Sequence, residues 1–257
     1  MNFTHNGEFA IDNKLGRKYT LDQNYFEKID SQEKAYFLGF MYADGNVHSK
    51  QNRCQITLQK RDREILQKFK ILLNYNGKLK NFDEGKSLTL RVHSKKMKQD
   101  LINKGCIPQK TFKIEFPNWL REDLRPHFIR GVFDGDGCVS FRVKRKGCKY
   151  LQVTISGRKS FLETILNISQ FRGRVSKVNG HTSHSLCYSS VASIHFLNWL
   201  YKGATIFLER KRNKFLEYLN YKKYEAPYNS RGKKLAEEVL KNEKNNLNFI
   251  GRSVSYG

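Results

Sequence analysis

No run of apolar residues in the chain approaches the roughly 20 that a helix needs to cross a bilayer, so no membrane-spanning role is expected. The opening stretch, MNFTHNGEFAIDNK, carries Glu8 and Asp12 and has no apolar centre. Neither a secretion signal nor an Arg-rich transit peptide is read there. An intracellular location follows as the expectation, in a bacterial or phage-host cytoplasm or in an organelle. Cysteine is also sparse: Cys54, Cys106, Cys138, Cys148 and Cys187 are odd in number and form no C-x-x-C pair. That argues against a disulfide framework or a structural zinc site, and His181 and His184 sit in a polar, turn-like stretch without further ligands. Acidic residues are the most telling shortage. The 24 Asp plus Glu stand against 48 Lys plus Arg, leaving a formal charge of +24. Such an excess either meets a polyanion or repels itself, and nucleic acid is the default partner because each phosphate neutralised releases condensed counterions.

What the sequence does have is a core and a repeat. Apolar content of 39% over 257 residues suffices for one large domain or two small ones. AYFLGFMYADG (Ala35 to Gly45) aligns with HFIRGVFDGDG (His127 to Gly137) at an offset of 92. QITL (Gln55 to Leu58) then faces QVTI (Gln152 to Ile155) at offset 97, which places a hairpin loop five residues longer in the second copy, at VKRKGCK (Val143 to Lys149). Gly77 matches Gly173, and Lys104-Gly105 matches Lys202-Gly203. Offsets that drift only by loop-sized steps imply two copies of one unit. In RCQITLQ, alternation predicts a strand with Cys54, Ile56 and Leu58 on one face and Arg53, Gln55, Thr57 and Gln59 on the other. DREILQKFKILL (Asp62 to Leu73) predicts an amphipathic helix. Each unit is α+β in the order helix, hairpin, helix, hairpin, helix. The expected organisation is a leader at 1–33, a first repeat at 34–124, a second at 125–223 and a basic tail at 224–257. The join lies near FPNWLREDLRP, where Pro126 suits a first helical turn. The tail is read as a solvated helix followed by coil, with an extra nucleic-acid clamp as the alternative.

Within FLGFMYADG, Gly39 and Ala43 are four apart, as are Gly131 and Gly135 in the second copy. On helices these pairs make flat stripes, and two copies predict a pseudo-symmetric pair packed at the interface of the units. The helices are expected to end at Asp44-Gly45 and Asp136-Gly137, with each glycine as a left-handed cap. A carboxylate there opposes the negative end of the helix dipole, at a cost of about 0.3 to 1 kcal/mol. Two of them brought together also repel, and a divalent cation reverses both penalties. Hard oxygen ligands beside phosphate suit Mg²⁺, which can lower the pKa of an attacking water and stabilise a leaving oxygen. A calcium loop starting at Asp134 fails, because Arg145 falls where a bidentate Glu belongs.

These two motifs, FLGFMYADG and IRGVFDGDG, resemble the paired motif of the LAGLIDADG homing endonucleases in their single-chain, two-repeat form, over about Lys34 to Tyr221. The resemblance implies two pseudo-symmetric αββαββα repeats, motif helices packed at the interface, and two curved antiparallel sheets forming a DNA-binding saddle. It further implies a monomer that cleaves both strands of double-stranded DNA with Mg²⁺ at a long site, leaving 3′ overhangs; Mn²⁺ or Ca²⁺ would substitute in binding. Carried over by position, Asp44 and Asp136 are the metal-binding catalytic acids. Lys110, Arg210 and Lys211 are candidates for a basic group that stabilises the scissile phosphate. Two positions depart from the motif: the sixth is Tyr42 in one copy and Asp134 in the other, and the second is Leu38 and Arg130.

If the sheets read DNA, their polar faces carry the contacts. The candidates are Arg53, Gln55, Thr57, Gln59, Thr89 and Arg91 in the first half. In the second they are Ser140, Arg142, Lys144, Gln152, Thr154, Ser156, Arg174 and Ser176. Arg pairs bidentately with guanine and Gln with adenine, so these types suit the major groove. An intron RNA-binding maturase and a non-cutting DNA-binding regulator of the same fold remain alternatives at this point.

Overall fold

The structure is a computed structural model that describes residues 19–109, 113–144, 147–225 and 232–253. The first repeat comprises α1 (Gln32–Ala43), β1 (Gly45–Val47), β2 (Arg53–Gln59), α2 (Arg63–Leu72), β3 (Lys80–Phe82), β4 (Ser87–His93) and α3 (Lys95–Asn103). The second comprises α4 (Arg125–Asp136), β5 (Gly137–Val143), β6 (Lys149–Gly157), α5 (Lys159–Ser169), β7 (Gly173–Lys177), β8 (His184–Ser189) and α6 (Val191–Tyr201). After it come α7 (Glu209–Asn220), a π-helical turn (Tyr221–Glu225) and α8 (Lys233–Ser253). Each repeat builds one four-stranded antiparallel sheet, ordered β1-β2-β4-β3 and β5-β6-β8-β7. This is the expected α+β architecture of two like units.

Local chemistry explains the helix starts. Ser31 accepts from the Lys34 N–H and caps α1, Ser94 accepts from Met97 and caps α3, and Pro126 occupies the first turn of α4, where its missing N–H costs nothing. The alternation in β2 buries Cys54, Ile56 and Leu58, and Leu88, Leu90 and Val92 join them from β4. The apolar stripe of α2, with Ile65, Leu66 and Phe69, covers that face, and Phe37 of α1 stacks on Phe69 at 3.7 Å between ring centroids. In the second repeat, Leu151, Val153, Ile155, Leu186 and Tyr188 meet Phe161, Leu162 and Ile165 of α5. Unlike these amphipathic helices, α1 is buried continuously from Ala35 to Tyr42, and α4 from Phe128 to Asp134, so both run through the middle of the core.

Two expectations are corrected. Gly45 pairs with Ile56, eleven residues on, whereas Gly137 pairs with Ile155, eighteen on. The second hairpin is therefore longer by seven residues, not five, and the increase lies in strand: β5 has 7 residues where β1 has 3. The likeness of QITL to QVTI misled by two residues, a shift that leaves inward and outward faces unchanged because strand side chains alternate with period two. The tail, in turn, is not a solvated helix. Ala236 and Val239 of α8 are buried, and Arg212 of α7 is ion-paired with Glu243.

Candidate active site

The two motif helices touch backbone to backbone. A Cβ at Gly39 would lie 2.0 Å from the carbonyl oxygen of Phe128, and one at Gly131 would lie 2.0 Å from that of Tyr36. Each of these residues is related to its counterpart by the offset of 92, so the contact is itself a local twofold. Further along, a Cβ at Gly135 would meet Ala43 Cβ at 2.3 Å and Asp44 Oδ2 at 3.3 Å. The carboxylate of the first motif thus lies against the residue that precedes Asp136 in the second.

Asp44 caps α1, its N–H donating to Phe40 O at 3.0 Å, and Asp136 is the last residue of α4; both side chains are exposed. Neither following glycine is a left-handed cap. Asp44 has φ −89° and ψ −9°, Gly137 has φ −90° and ψ 161°, and Gly45 does not take a positive φ. Space is what demands glycine here. A Cβ at Gly45 would sit 2.5 Å from Met41 O, and one at Gly137 would sit 2.4 Å from Phe133 O. The chain passes from helix to strand with no loop between, which fixes each carboxylate at the joint between the central helix pair and a sheet.

The basic candidates have specific partners. Lys211, in the first turn of α7, is 4% exposed and directs its ammonium at three carbonyls: Phe133 O at 2.7 Å, Asp134 O at 2.8 Å and Gly137 O at 2.5 Å. It neutralises the negative end of α4 beside Asp136. Burial pushes its pKa down to about 8, against the opposing pull of the Asp134 and Asp44 carboxylates. In this arrangement its donors are spent on the motif rather than offered to a phosphate. The Arg210 guanidinium instead holds the buried Asp62 carboxylate at 2.9 and 3.2 Å, and with the neighbouring Glu209–Lys68 pair it ties α7 to the first repeat. Lys110 lies outside the described residues.

Both departures from the motif are buried. Asp134 Oδ2 accepts from the hydroxyl of Tyr36 and from the N–H of Leu208, each at 2.8 Å, and burial raises its pKa. Arg130 donates to Ile206 O at 3.0 Å, Leu200 O at 2.9 Å and His127 Nδ1 at 2.7 Å. Burial, aided by the Arg130 charge, pushes His127 down to about 4, so its ring accepts as a neutral base. Arg130 thus cross-links α4 to the end of α6 and to the connection between α6 and α7.

On the first sheet, Arg53, Gln55, Thr57, Gln59 and Arg91 share the outward face, with Arg91 Nε donating to Gln55 Oε1 at 3.0 Å. Thr89 shares that face but is 1% exposed, its hydroxyl bonded to Thr57 at 2.9 Å, so it is not presented to a partner. The pairings add Asn46, opposite Gln55, and Lys80 and Phe82, opposite Thr89 and Ser87. On the second sheet, Ser140, Gln152 and Ser189 form one row; Cys138, Thr154, Cys187 and Arg174 a second; and Ser156, Ser185 and Ser176 a third. Arg142 donates to Gln152 Oε1 at 2.8 Å, and Lys144 follows the end of β5. The added residues fall on short or weakly alternating strands whose partners only the register identifies.

A family model described as a LAGLIDADG-like domain matches residues 31–102. Among solved structures, the I-LtrWI LAGLIDADG homing endonuclease bound to target DNA is 14% identical, with TM-score 0.55, over 84% of this chain and 97% of that one. The LAGLIDADG meganuclease I-AabMI bound to uncleaved DNA is 16% identical, with TM-score 0.54, over 82% and 98%. Meganuclease I-SmaMI bound to uncleaveable DNA is 13% identical, with TM-score 0.54, over 72% and 89%; the same protein is known with its uncleaved DNA target in the presence of calcium ions. No curated protein is significantly similar in sequence. At these identities the structural likeness is one of fold. Residues 31–102 are thus a LAGLIDADG-like domain, and the chain carries the two-repeat fold of the single-chain LAGLIDADG homing endonucleases.

Proposed function

We propose that the chain is a site-specific, divalent-metal-dependent endonuclease of double-stranded DNA. The observation that carries this reading is the placement of Asp44 and Asp136, two exposed carboxylates held at the C-terminal ends of a close-packed helix pair, in a chain of formal charge +24. A binder of polyanions has no use for two acids at the centre of its surface. No group of three His, Cys, Asp or Glu able to hold a metal ion occurs among the described residues. As a pair of hard carboxylates, Asp44 and Asp136 suit Mg²⁺, which binds through one or two carboxylates and completes its shell with phosphate and water. When bound, such a cation supplies a lowered pKa for water and charge neutralisation at a phosphodiester leaving oxygen. Calcium in the DNA complex of I-SmaMI supports the same class of ion.

The protein's own part is binding and geometry. The outward rows of both sheets grip a long target in the major groove, where Arg, Gln and Ser read base edges. The helix pair fixes the separation of the two carboxylates and so the stagger of the two cuts, read here as leaving 3′ overhangs. Both half-sites lie in one chain, so a monomer suffices. The test is incubation with a pool of genomic DNA in Mg²⁺ and in EDTA, followed by end sequencing. Discrete paired ends that require Mg²⁺ are the expected result. Binding to structured intron RNA without any DNA ends would overturn the reading in favour of a maturase.

A further inference from the structure

The sixth position of each motif differs in chemistry between the two copies, Tyr42 against Asp134, and both side chains make the same kind of connection. The Tyr42 hydroxyl, in a residue 5% exposed, donates to Lys104 O at 2.5 Å. Lys104 is the C-cap of α3, where helix carbonyls lack partners within the helix. Asp134 accepts from the N–H of Leu208, the N-cap of α7, where helix donors are the groups in surplus. A donor meets a helix C-terminus in one repeat, and an acceptor meets a helix N-terminus in the other. In both, the motif helix is fastened to the segment that follows the last strand and helix of its own repeat.

In the second repeat the consequence is visible. Leu208 is held by Asp134, and one helical turn later Lys211 is held by the carbonyls of Phe133, Asp134 and Gly137. The start of α7 is therefore clamped on both sides of the turn that ends at Asp136. In the first repeat Tyr42 is joined by Cys106, whose Sγ lies 3.4 Å from Met41 O, and Gly105, at φ +95°, leaves room for the tyrosine: a Cβ there would lie 2.1 Å from its hydroxyl. Both bonds of Asp134 fall on Oδ2, and Oδ1 has no hydrogen-bond partner. A buried carboxylate with half its acceptors idle is poor for stability alone.

We infer that Tyr42 and Asp134 are positioning residues, each for the active centre of its own half, so that losing one slows the cutting of one DNA strand and not the other. This rests on the endonuclease reading above. The test uses the full chain with its selected target in single-turnover cleavage, each strand labelled separately, and with DNA affinity measured in Ca²⁺. Tyr42→Phe and Asp134→Leu are expected to slow opposite strands by about tenfold or more, as a displaced reacting group does, and to accumulate nicked DNA with affinity little changed. Asp134→Asn, whose amide oxygen still accepts from Leu208 and Tyr36, restores even cutting. Equal slowing of both strands, or an Asn variant as slow as Leu, overturns the inference. Hydrogen exchange reads the pins without activity: Asp134→Leu should raise exchange at Leu208 and at the end of α4, and Tyr42→Phe at the end of α3. If the wild type cuts no DNA, the endonuclease reading fails by itself, and unchanged exchange in these variants overturns the pins separately.

Discussion

Replacing Gly131 by alanine sets two effects of opposite sign against each other. Gly131 lies inside α4, where alanine is favoured by roughly 0.8 to 1 kcal/mol on helix propensity. Its added methyl would stand 2.0 Å from Tyr36 O and 2.7 Å from the Phe40 nitrogen, both backbone atoms of the facing helix. A relaxed carbon–oxygen contact is about 3.3 Å, so the helix pair must open by about 1 Å. Overpacking of this kind typically costs about 1 to 3 kcal/mol, and here no flexible side chain can yield, so the upper part of that range applies. The net expectation is a loss of about 1 to 2 kcal/mol, measured by urea denaturation followed by circular dichroism. Gly39→Ala meets Phe128 O in the same way. One opening movement relieves both clashes, so the double variant should lose less than the sum of the two singles. A Gly131→Ala chain more stable than the wild type, or strict additivity in the double, would falsify the account of a backbone-to-backbone helix pair.

Four other outcomes follow from the described contacts. Asp44→Asn and Asp136→Asn should each retain DNA binding and lose cleavage, and unchanged cutting by both variants would remove them from the site. Because burial holds Lys211 near 8, below the ordinary lysine range, the unfolded chain binds that proton more tightly between about pH 8 and 10.5, and stability rises with pH across this window. Relative to Lys211→Met the wild type should gain up to about 3 kcal/mol over that interval, and parallel denaturation profiles would refute the shift. Arg210→Ala leaves the buried Asp62 carboxylate without its cation; with the guanidinium 41% exposed, the expected cost is only about 1 kcal/mol, and the further change Asp62→Asn should recover part of it. Removing residues 232–257 strips α8, with its buried Ala236 and Val239, from α6 and α7; the thermal midpoint should fall, and an unaltered one would contradict the docking.

The order of elements was legible because the chain states it twice, and an amphipathic helix such as α2 or an alternating strand such as β2 declares its buried face locally. The central helix pair was legible for a steric reason: Gly39 and Gly131 are the residues that leave room for a carbonyl. Where the reading failed, the deciding partner lay far along the chain. Asp134 and Leu208 are 74 residues apart and Asp62 and Arg210 are 148 apart, and no local pattern couples them. Lys211 was found as a basic group near the acids, but its three carbonyl partners follow from how α7 docks on α4. Thr89 shows the same limit, since alternation gives its face and not its burial. The glycines after Asp44 and Asp136 satisfied the pattern of a left-handed cap, yet crowding against Met41 and Phe133 is what excludes a side chain.

If the sheets read DNA as proposed, the unequal hairpins have a consequence for the kind of message they can recognise. Two identical subunits around a dyad are confined to reading a palindrome, because each half-site must satisfy the same surface. Here β5 exceeds β1 by four residues, about 13 Å of extended chain at roughly 3.3 Å per residue. The rows of side chains it carries, Cys138, Ser140 and Arg142, have only Asn46 as a counterpart in β1. Carried in one chain, the halves need not match: the central helices keep the twofold, while the two sheets differ in length and lettering.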